Sequence, residues 1–210
     1  MAIKVHGRQI SPYVRVVLLV LYEKGVDFEL VSSDQHSDEY MAMLNPFGKH
    51  PAVEDDGFLL YESRAIVRYF ATKYESREPN LLGSTPHERA LVDQWTEVQG
   101  QIFHHPILKI NSELYLGPTF YKKNTDLAVV KQNCAKLELI LDIYDARLAK
   151  NQYLAGNFYS MADLIHIPML YILLTHTDQG SLITRRKHVY AWYRDISCRP
   201  AWRKILETQI

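Results

Sequence analysis

In the first third of the chain, apolar residues come in short runs broken by polar punctuation. Ile3-Lys4-Val5 reads as a strand. Tyr13 to Lys24 reads as a helix that stops at Gly25. Phe28-Glu29-Leu30-Val31 predicts a second strand, and Asp38 to Leu44 a short helix. Ala52 to Glu54 and Phe58 to Tyr61 flank Asp55-Asp56-Gly57, which is a hairpin signal. Ser63 to Tyr74 predicts a further helix. Strand–helix alternation of this kind implies an α/β unit.

Beyond Glu75 the pattern changes. Glu75 to Pro86 is polar and carries two prolines and one glycine, so it reads as a linker. The expected division is a domain over 1–76, a linker over 77–86 and a second domain over 87–210. Pro86 opens a helix that runs through Trp95 and past Gln101. Between Asp126 and Lys150, Val129, Val130, Leu137, Ile140, Leu141 and Tyr144 recur at helical spacing. Ser160-x-x-Asp163 has the form of a capping box and opens a buried helix through Leu174, in which Pro168 should produce a kink or an adjustment of the turns. Helices over Lys187 to Ser197 and after Pro200 finish the chain, with no internal repeat.

Composition narrows the class. Of 210 residues, 47% are hydrophobic, enough for a substantial core. The 24 basic residues balance the 24 acidic ones, and no basic run points to nucleic acid or an anionic membrane surface. Met1-Ala2-Ile3-Lys4 opens no long apolar leader, and no stretch is long and apolar enough to insert in a membrane. Cys134 and Cys198 are far apart and form no Cys-x-x-Cys, which fits a reducing, cytoplasmic setting.

Chemistry concentrates in the segment Gly7-Arg8-Gln9-Ile10-Ser11-Pro12-Tyr13-Val14-Arg15. Ser11 is placed at the cap of a helix whose first turn suits Pro12. Its hydroxyl lies beside unpaired N–H groups and the positive end of the helix dipole, a favourable place for a thiolate. A second motif follows: Asn45-Pro46-Phe47-Gly48-Lys49-His50-Pro51-Ala52-Val53, then Leu60-Tyr61-Glu62-Ser63-Arg64-Ala65-Ile66. A third is Tyr153-Leu154-Ala155-Gly156 with Ser160-Met161-Ala162-Asp163-Leu164.

Together these motifs resemble a cytosolic glutathione transferase, most closely the plant phi class, over nearly the whole chain. The resemblance implies an α+β two-domain fold with a thioredoxin-like N-terminal domain and an all-helical C-terminal domain. It implies glutathione as co-substrate and a homodimer, with Phe47 and the Arg64 helix at the interface. Ser11 matches the catalytic serine, and a serine there argues for conjugation or hydroperoxide reduction over thiol–disulfide exchange. Glutathione would be held by Ser11, His36, Lys49, His50, Pro51, Glu62 and Ser63. Glu62 can pair with the γ-glutamyl ammonium, and Ser63 with its carboxylate. A cis bond before Pro51 would turn the His50 backbone toward the cysteinyl backbone of glutathione.

The sequence departs from the phi pattern at two places. Lys49-His50 stands where the family usually has Gln-Val. The family's His-Lys pair aligns as His36-Ser37, so a carboxylate-binding lysine is missing there while Lys49 is gained. The acceptor site would be lined by Ile10, Tyr13, His105, Leu108, Tyr115 and Phe120, with His104. Adjacent histidines on a helix diverge, so His104-His105 is not read as a metal pair. The resemblance leaves three functions open. They are a detoxifying conjugating enzyme that takes small hydrophobic electrophiles, a flavonoid or anthocyanin carrier, and a partner-binding relative with a silent site.

Overall fold

The computed structural model describes residues 3–208; Met1, Ala2, Gln209 and Ile210, which the expected domain limits include, lie outside the described residues. The first part of the chain forms β1 (Ile3–His6), α1 (Pro12–Glu23), β2 (Phe28–Val31), α2 (Asp38–Met43), β3 (Ala52–Asp55), β4 (Phe58–Tyr61) and α3 (Ser63–Lys73). The sheet order is β2-β1-β3-β4. β1 runs parallel to β2 with Val5 opposite Leu30, and antiparallel to β3 with Val5 opposite Val53. β3 and β4 form the hairpin, with Asp56 (φ 51°) and Gly57 (φ 83°) at its turn. Positive φ at both central residues is what a tight two-residue hairpin needs, and Asp-Gly supplies it. This is the expected thioredoxin-like arrangement.

The second part is all helical. α4 (Pro86–Val98), α5 (His104–Asn111) and α6 (Gly117–Tyr121) are joined without a break by π-helical turns at Gln99–Phe103 and Ser112–Leu116. The helix expected to pass Gln101 therefore runs on to Tyr121. Its start is fixed by Thr85, whose Oγ1 accepts from Glu88 N while Glu88 Oε2 accepts from Thr85 N. Then come α7 (Leu127–Leu148), α8 (Met161–Leu164), α9 (Ile167–His176), α10 (Ser181–Thr184) and α11 (Lys187–Ser197). The single helix expected from Ser160 to Leu174 is divided. It breaks after Leu164, and Pro168 stands in the first turn of α9, where its missing N–H has no intrahelical partner to lose. Pro168 therefore kinks nothing.

The core of this helical unit is aromatic. Tyr144 packs against Trp95, Phe103, His166 and Trp192. His166 is fully buried and satisfied, with Nδ1 2.7 Å from Ala162 O and Nε2 3.1 Å from the Tyr144 hydroxyl. Asp163 accepts from Ser160 N, Ser160 Oγ, Leu154 N and Trp192 Nε1. The Ser160 motif thus fastens the Tyr153-Leu154 segment to α8 and α11.

The chain divides into two compact units, Met1–Leu82 with Cys198–Ile210, and Gly83–Ser197. The last helix, α12 (Pro200–Glu207), accordingly belongs by its contacts with the sheet unit, although sequence order groups it with the helices. There α1 packs between α3 and α12. That explains its uniform run Val14 to Leu21, buried on every side, each aliphatic contributing about 1.5–3 kcal/mol. Lys24 is also buried. Its ammonium donates to Arg77 O and Pro79 O at 2.7 Å each, so the start of the polar stretch is anchored to the end of α1.

Candidate functional site

In the sheet unit, α1 and α3 both begin without a side-chain cap. Ser11 stands at the N-cap of α1 with Pro12 behind it, in extended backbone (φ −66°, ψ 124°), and its hydroxyl makes no capping bond. Glu62 stands at the N-cap of α3, again without a capping bond. Free N–H groups and the positive ends of two helix dipoles are therefore available to anions. The two termini are near one another. Tyr13, in the first turn of α1, feels both Glu62 and Arg64, while burial pushes its hydroxyl pKa up to about 12.

Glu62 has φ 71° and ψ 107°, a conformation that costs a non-glycine residue on the order of 1–3 kcal/mol. Its side chain is exposed, while Ser63 behind it is buried. The carboxylate is thus held at the start of a helix, open to solvent.

The loop from β1 to Ser11 lies close to the His50 segment. A Cβ at Gly7 would stand 2.5 Å from Val14 Cγ2 and 3.3 Å from the His50 side chain, so only glycine, here at φ +149°, permits this approach. The His50–Pro51 bond is cis, as the resemblance implies. β3 starts at Ala52, so His50 lies just outside the β1–β3 ladder. His50 Nε2 is 3.1 Å from Ser33 Oγ, and its ring meets the edge of Tyr40. Burial pulls the His50 pKa below its ordinary value, with His6 and Arg8 in support and Asp34 opposing.

Lys49 is fixed through its backbone. Its carbonyl accepts from the Tyr40 hydroxyl at 2.9 Å and from Asn45 Nδ2 at 2.8 Å, and its side chain is exposed. Asn45 Oδ1 also accepts from Phe47 N, which explains why the Asn-Pro-Phe-Gly turn begins with asparagine. His36 is exposed, with Nε2 3.1 Å from Gln35 Nε2, and its charge acts on His50. Ser37 is the N-cap of α2. Its Oγ accepts from Tyr40 N and donates to Asp34 O. Ser37 is thus a helix cap as well as a departure from the family's lysine, and Ser followed by Asp38-Glu39 is the capping signal for this role.

Ser11, Tyr13, Glu62, Ser63, His36, Lys49, His50 and Pro51 thus lie in one unit, linked by the contacts above. Ile10 lies there too, half-buried beside Ser11. The remaining residues expected to line an acceptor site lie in the helical unit. His105 is exposed and Leu108 half-buried on α5. Tyr115 lies edge-on to Phe120 at 5.8 Å and stacks on His176 at 4.2 Å, and Tyr171 meets His176 edge-on at 5.6 Å. The sequence patterns do not single out His176, Tyr171 or Tyr40, and they place Asn45 and Arg8 in motifs without a role of their own. Among the described residues no group of three or more His, Cys, Asp or Glu could hold a metal, and no helix is long and apolar enough to cross a membrane.

Residues 5–79 match the family model for the glutathione S-transferase N-terminal domain, and residues 103–200 that for the C-terminal domain. Glutathione S-transferase F10 of Arabidopsis thaliana is 42% identical over 193 residues, covering 90% of this chain and 89% of that protein. The crystal structure of glutathione transferase F7 from Populus trichocarpa superposes with a TM-score of 0.94 at 39% identity, covering 98% of each chain. Glutathione S-transferase I from mais, in complex with an atrazine glutathione conjugate, superposes with a TM-score of 0.90 at 34% identity, covering 99% of this chain and 97% of that one.

Proposed function

Because this chain belongs to the glutathione S-transferases, in their plant phi class, we propose that its sheet unit binds glutathione across the starts of α1 and α3 and that Ser11 activates the thiol. The observation that carries this reading is the Ser11 hydroxyl, uncommitted to its own helix, at an uncapped N-terminus beside the strained Glu62. A serine hydroxyl is too weak an acid to act as a base toward a thiol. It serves as a donor: an O–H···S bond, aided by the dipole of α1, favours the thiolate. Lowering a thiol pKa by about two units requires about 2.7 kcal/mol of preferential binding of the anion. The thiolate sulfur then attacks an electrophilic carbon, forming a C–S bond as the leaving group departs or an adjacent π bond takes up the electron pair.

Glu62 pairs with the γ-glutamyl ammonium, and Ser63 with the α3 N–H groups takes the γ-glutamyl carboxylate. The backbone of His50, set by the cis bond to Pro51, pairs with the cysteinyl residue, and Lys49 with His36 meets the glycine carboxylate. The acceptors are small hydrophobic electrophiles, with organic hydroperoxides as a second class. The atrazine conjugate held by the similar mais enzyme supports this choice. For the acceptor, Ile10 and Tyr13 are proposed for their closeness to Ser11, and His105, Leu108, Tyr115 and Phe120 for the aromatic cluster of the helical unit. The protein is proposed to act in the cytoplasm as a homodimer. Phe47, exposed and edge-on to Tyr61, is one of several large apolar side chains at the surface that a second subunit would cover.

A carrier of flavonoids or anthocyanins is the second reading. It is favoured by Ser37, which is engaged as the α2 cap and supplies no cation for glutathione. Purified protein decides between them. Turnover of an aromatic halide with glutathione, lost in Ser11→Ala, supports the enzyme. Tight flavonoid binding with negligible turnover and weak glutathione binding supports the carrier.

A further inference from the structure

Nothing in α1 itself fixes the direction of the Ser11 hydroxyl. A capping serine normally accepts from the N–H of the second or third helical residue, and Ser11 does not. Its position therefore rests on the backbone of the loop that precedes it. That loop is tied at Gly7, whose N–H donates to Val31 O, and at Ser11, whose N–H donates to Arg8 O. Midway lies Gln9, held from two sides. Arg15 Nε donates to the Gln9 carbonyl at 2.9 Å. The Gln9 amide Nε2 donates to Ile205 O at 3.0 Å and to Thr208 Oγ1 at 2.9 Å.

The acceptors are a backbone carbonyl in the last turn of α12 and the hydroxyl of its C-cap residue, Thr208. α12 is itself immobilised against α1. Arg199 makes a two-pronged pair with Glu23, at 2.6 and 2.7 Å, at the far end of α1. Trp202 is buried under the Arg15 guanidinium, and the Lys204 ammonium lies 4.4 Å from the centre of the Tyr22 ring. α12 is thus a bar laid along α1, anchored at Glu23 and gripping the Ser11 loop through Gln9.

We propose that Gln9 is a positioning residue, through which the C-terminal helix holds the Ser11 loop and aims its hydroxyl at the glutathione sulfur. The inference rests on the glutathione reading above. Releasing Gln9 leaves Glu62, Ser63, Lys49 and His50 in place, so glutathione still binds, while the O–H···S bond lengthens or bends and the thiolate loses support. Small displacements of this kind are costly at a reacting centre and cheap elsewhere.

The test uses the full chain and the variants Gln9→Met, Thr208→Val and Thr208→Ser. Gln9→Met keeps side-chain length and removes the donor. Three quantities are read: the thiolate absorbance of bound glutathione against pH, kcat/KM for an aromatic electrophile against pH, and the Kd of S-methylglutathione, which has no thiol. Gln9→Met is expected to raise the apparent pKa of the bound thiol by about half to one pH unit and to lower kcat/KM near neutrality by about threefold to tenfold. The loss should shrink as pH rises, and the Kd of S-methylglutathione should stay within about twofold of the parent. Thr208→Val should move the same quantities less, and Thr208→Ser should behave as the parent. A bound thiol that titrates in Gln9→Met as in the parent overturns the proposal, as does a pH-independent loss that follows the folded fraction. Should Gln9→Met not fold, Thr208→Val decides by the same criteria. If the parent itself fails to ionise bound glutathione, the glutathione reading falls and takes this proposal with it. If the parent ionises it and the variants do so equally, only the proposal falls.

Discussion

Lys49→Ala is expected to weaken glutathione binding by about 1–2 kcal/mol, or roughly fivefold to thirtyfold in Kd. The substitution is clean because the Lys49 carbonyl, which shapes the turn, is held by Tyr40 and Asn45 irrespective of the side chain. Only the ammonium is lost. A hydrogen bond between charged groups contributes about 1.5–3 kcal/mol, and solvent exposure of the Lys49 side chain reduces this toward the lower end. The same exposure makes the contribution sensitive to salt, so the difference between parent and variant should narrow as ionic strength rises. Ser37→Lys restores a cation at the neighbouring position, but it removes the α2 cap, at a cost of about 1 kcal/mol in stability. The double variant should therefore regain part of the affinity while melting at a lower temperature than Lys49→Ala alone. Titration calorimetry at low and high salt on the parent, both single variants and the double variant measures all of this. Glutathione binding by Lys49→Ala within twofold of the parent at low salt would show that Lys49 is only a solvated side chain.

Ser11→Ala should lower turnover of an aromatic electrophile at least about tenfold while the Kd for glutathione changes little, since it removes a donor to the thiolate and no contact to the peptide backbone; near-parental kcat in steady-state kinetics would refute the assignment. Ser11→Cys should gain glutathione-dependent reduction of a mixed disulfide, because a cysteine at a helix start is acidified; a coupled reductase assay with no gain over the parent counts against this geometry. Asp163→Asn should destabilise the protein by about 3 kcal/mol or more in urea unfolding, since it confronts buried donors with an amide. Burial raises the Asp163 pKa from 3.8 to about 6, so the native state holds this proton more tightly than the unfolded chain does. The associated stability is present below about pH 4 and is lost as pH rises through 6; the parent's advantage over Asp163→Asn should shrink by about 3 kcal/mol across that window, and a flat difference would contradict the shift.

The local elements were legible because each carries its own punctuation: Pro12 and Gly25 bracket α1, Asp56-Gly57 makes the hairpin, and Thr85-Pro86 opens α4. The motif residues Ser11 and Glu62-Ser63 were legible because helix starts are read from sequence. The π-helical turns at Gln99–Phe103 and Ser112–Leu116 were not, since one extra residue per turn hardly alters an apolar period near four. The break after Leu164 was hidden by a stretch apolar on every side. Gln9 was invisible as a site residue because its partners are a main-chain carbonyl and a hydroxyl nearly the whole chain away, and main-chain carbonyls leave no trace in residue identity. The return of α12 to the sheet unit was illegible for the same reason: an amphipathic helix does not name the surface that it covers.

That return has a consequence for the order in which the protein is made. The sheet unit starts with β1, yet one wall of α1 is supplied by residues translated only after the entire helical unit. During synthesis the helical unit can close as soon as Ser197 has emerged, while α1 waits with an uncovered aliphatic face. The segment translated first is thus the last to complete its core, and the Ser11 loop acquires its grip on α12 only at that moment. A chain that ends before Cys198 and is released from the ribosome should therefore hold a protease-resistant helical unit, with α1 still open to cleavage.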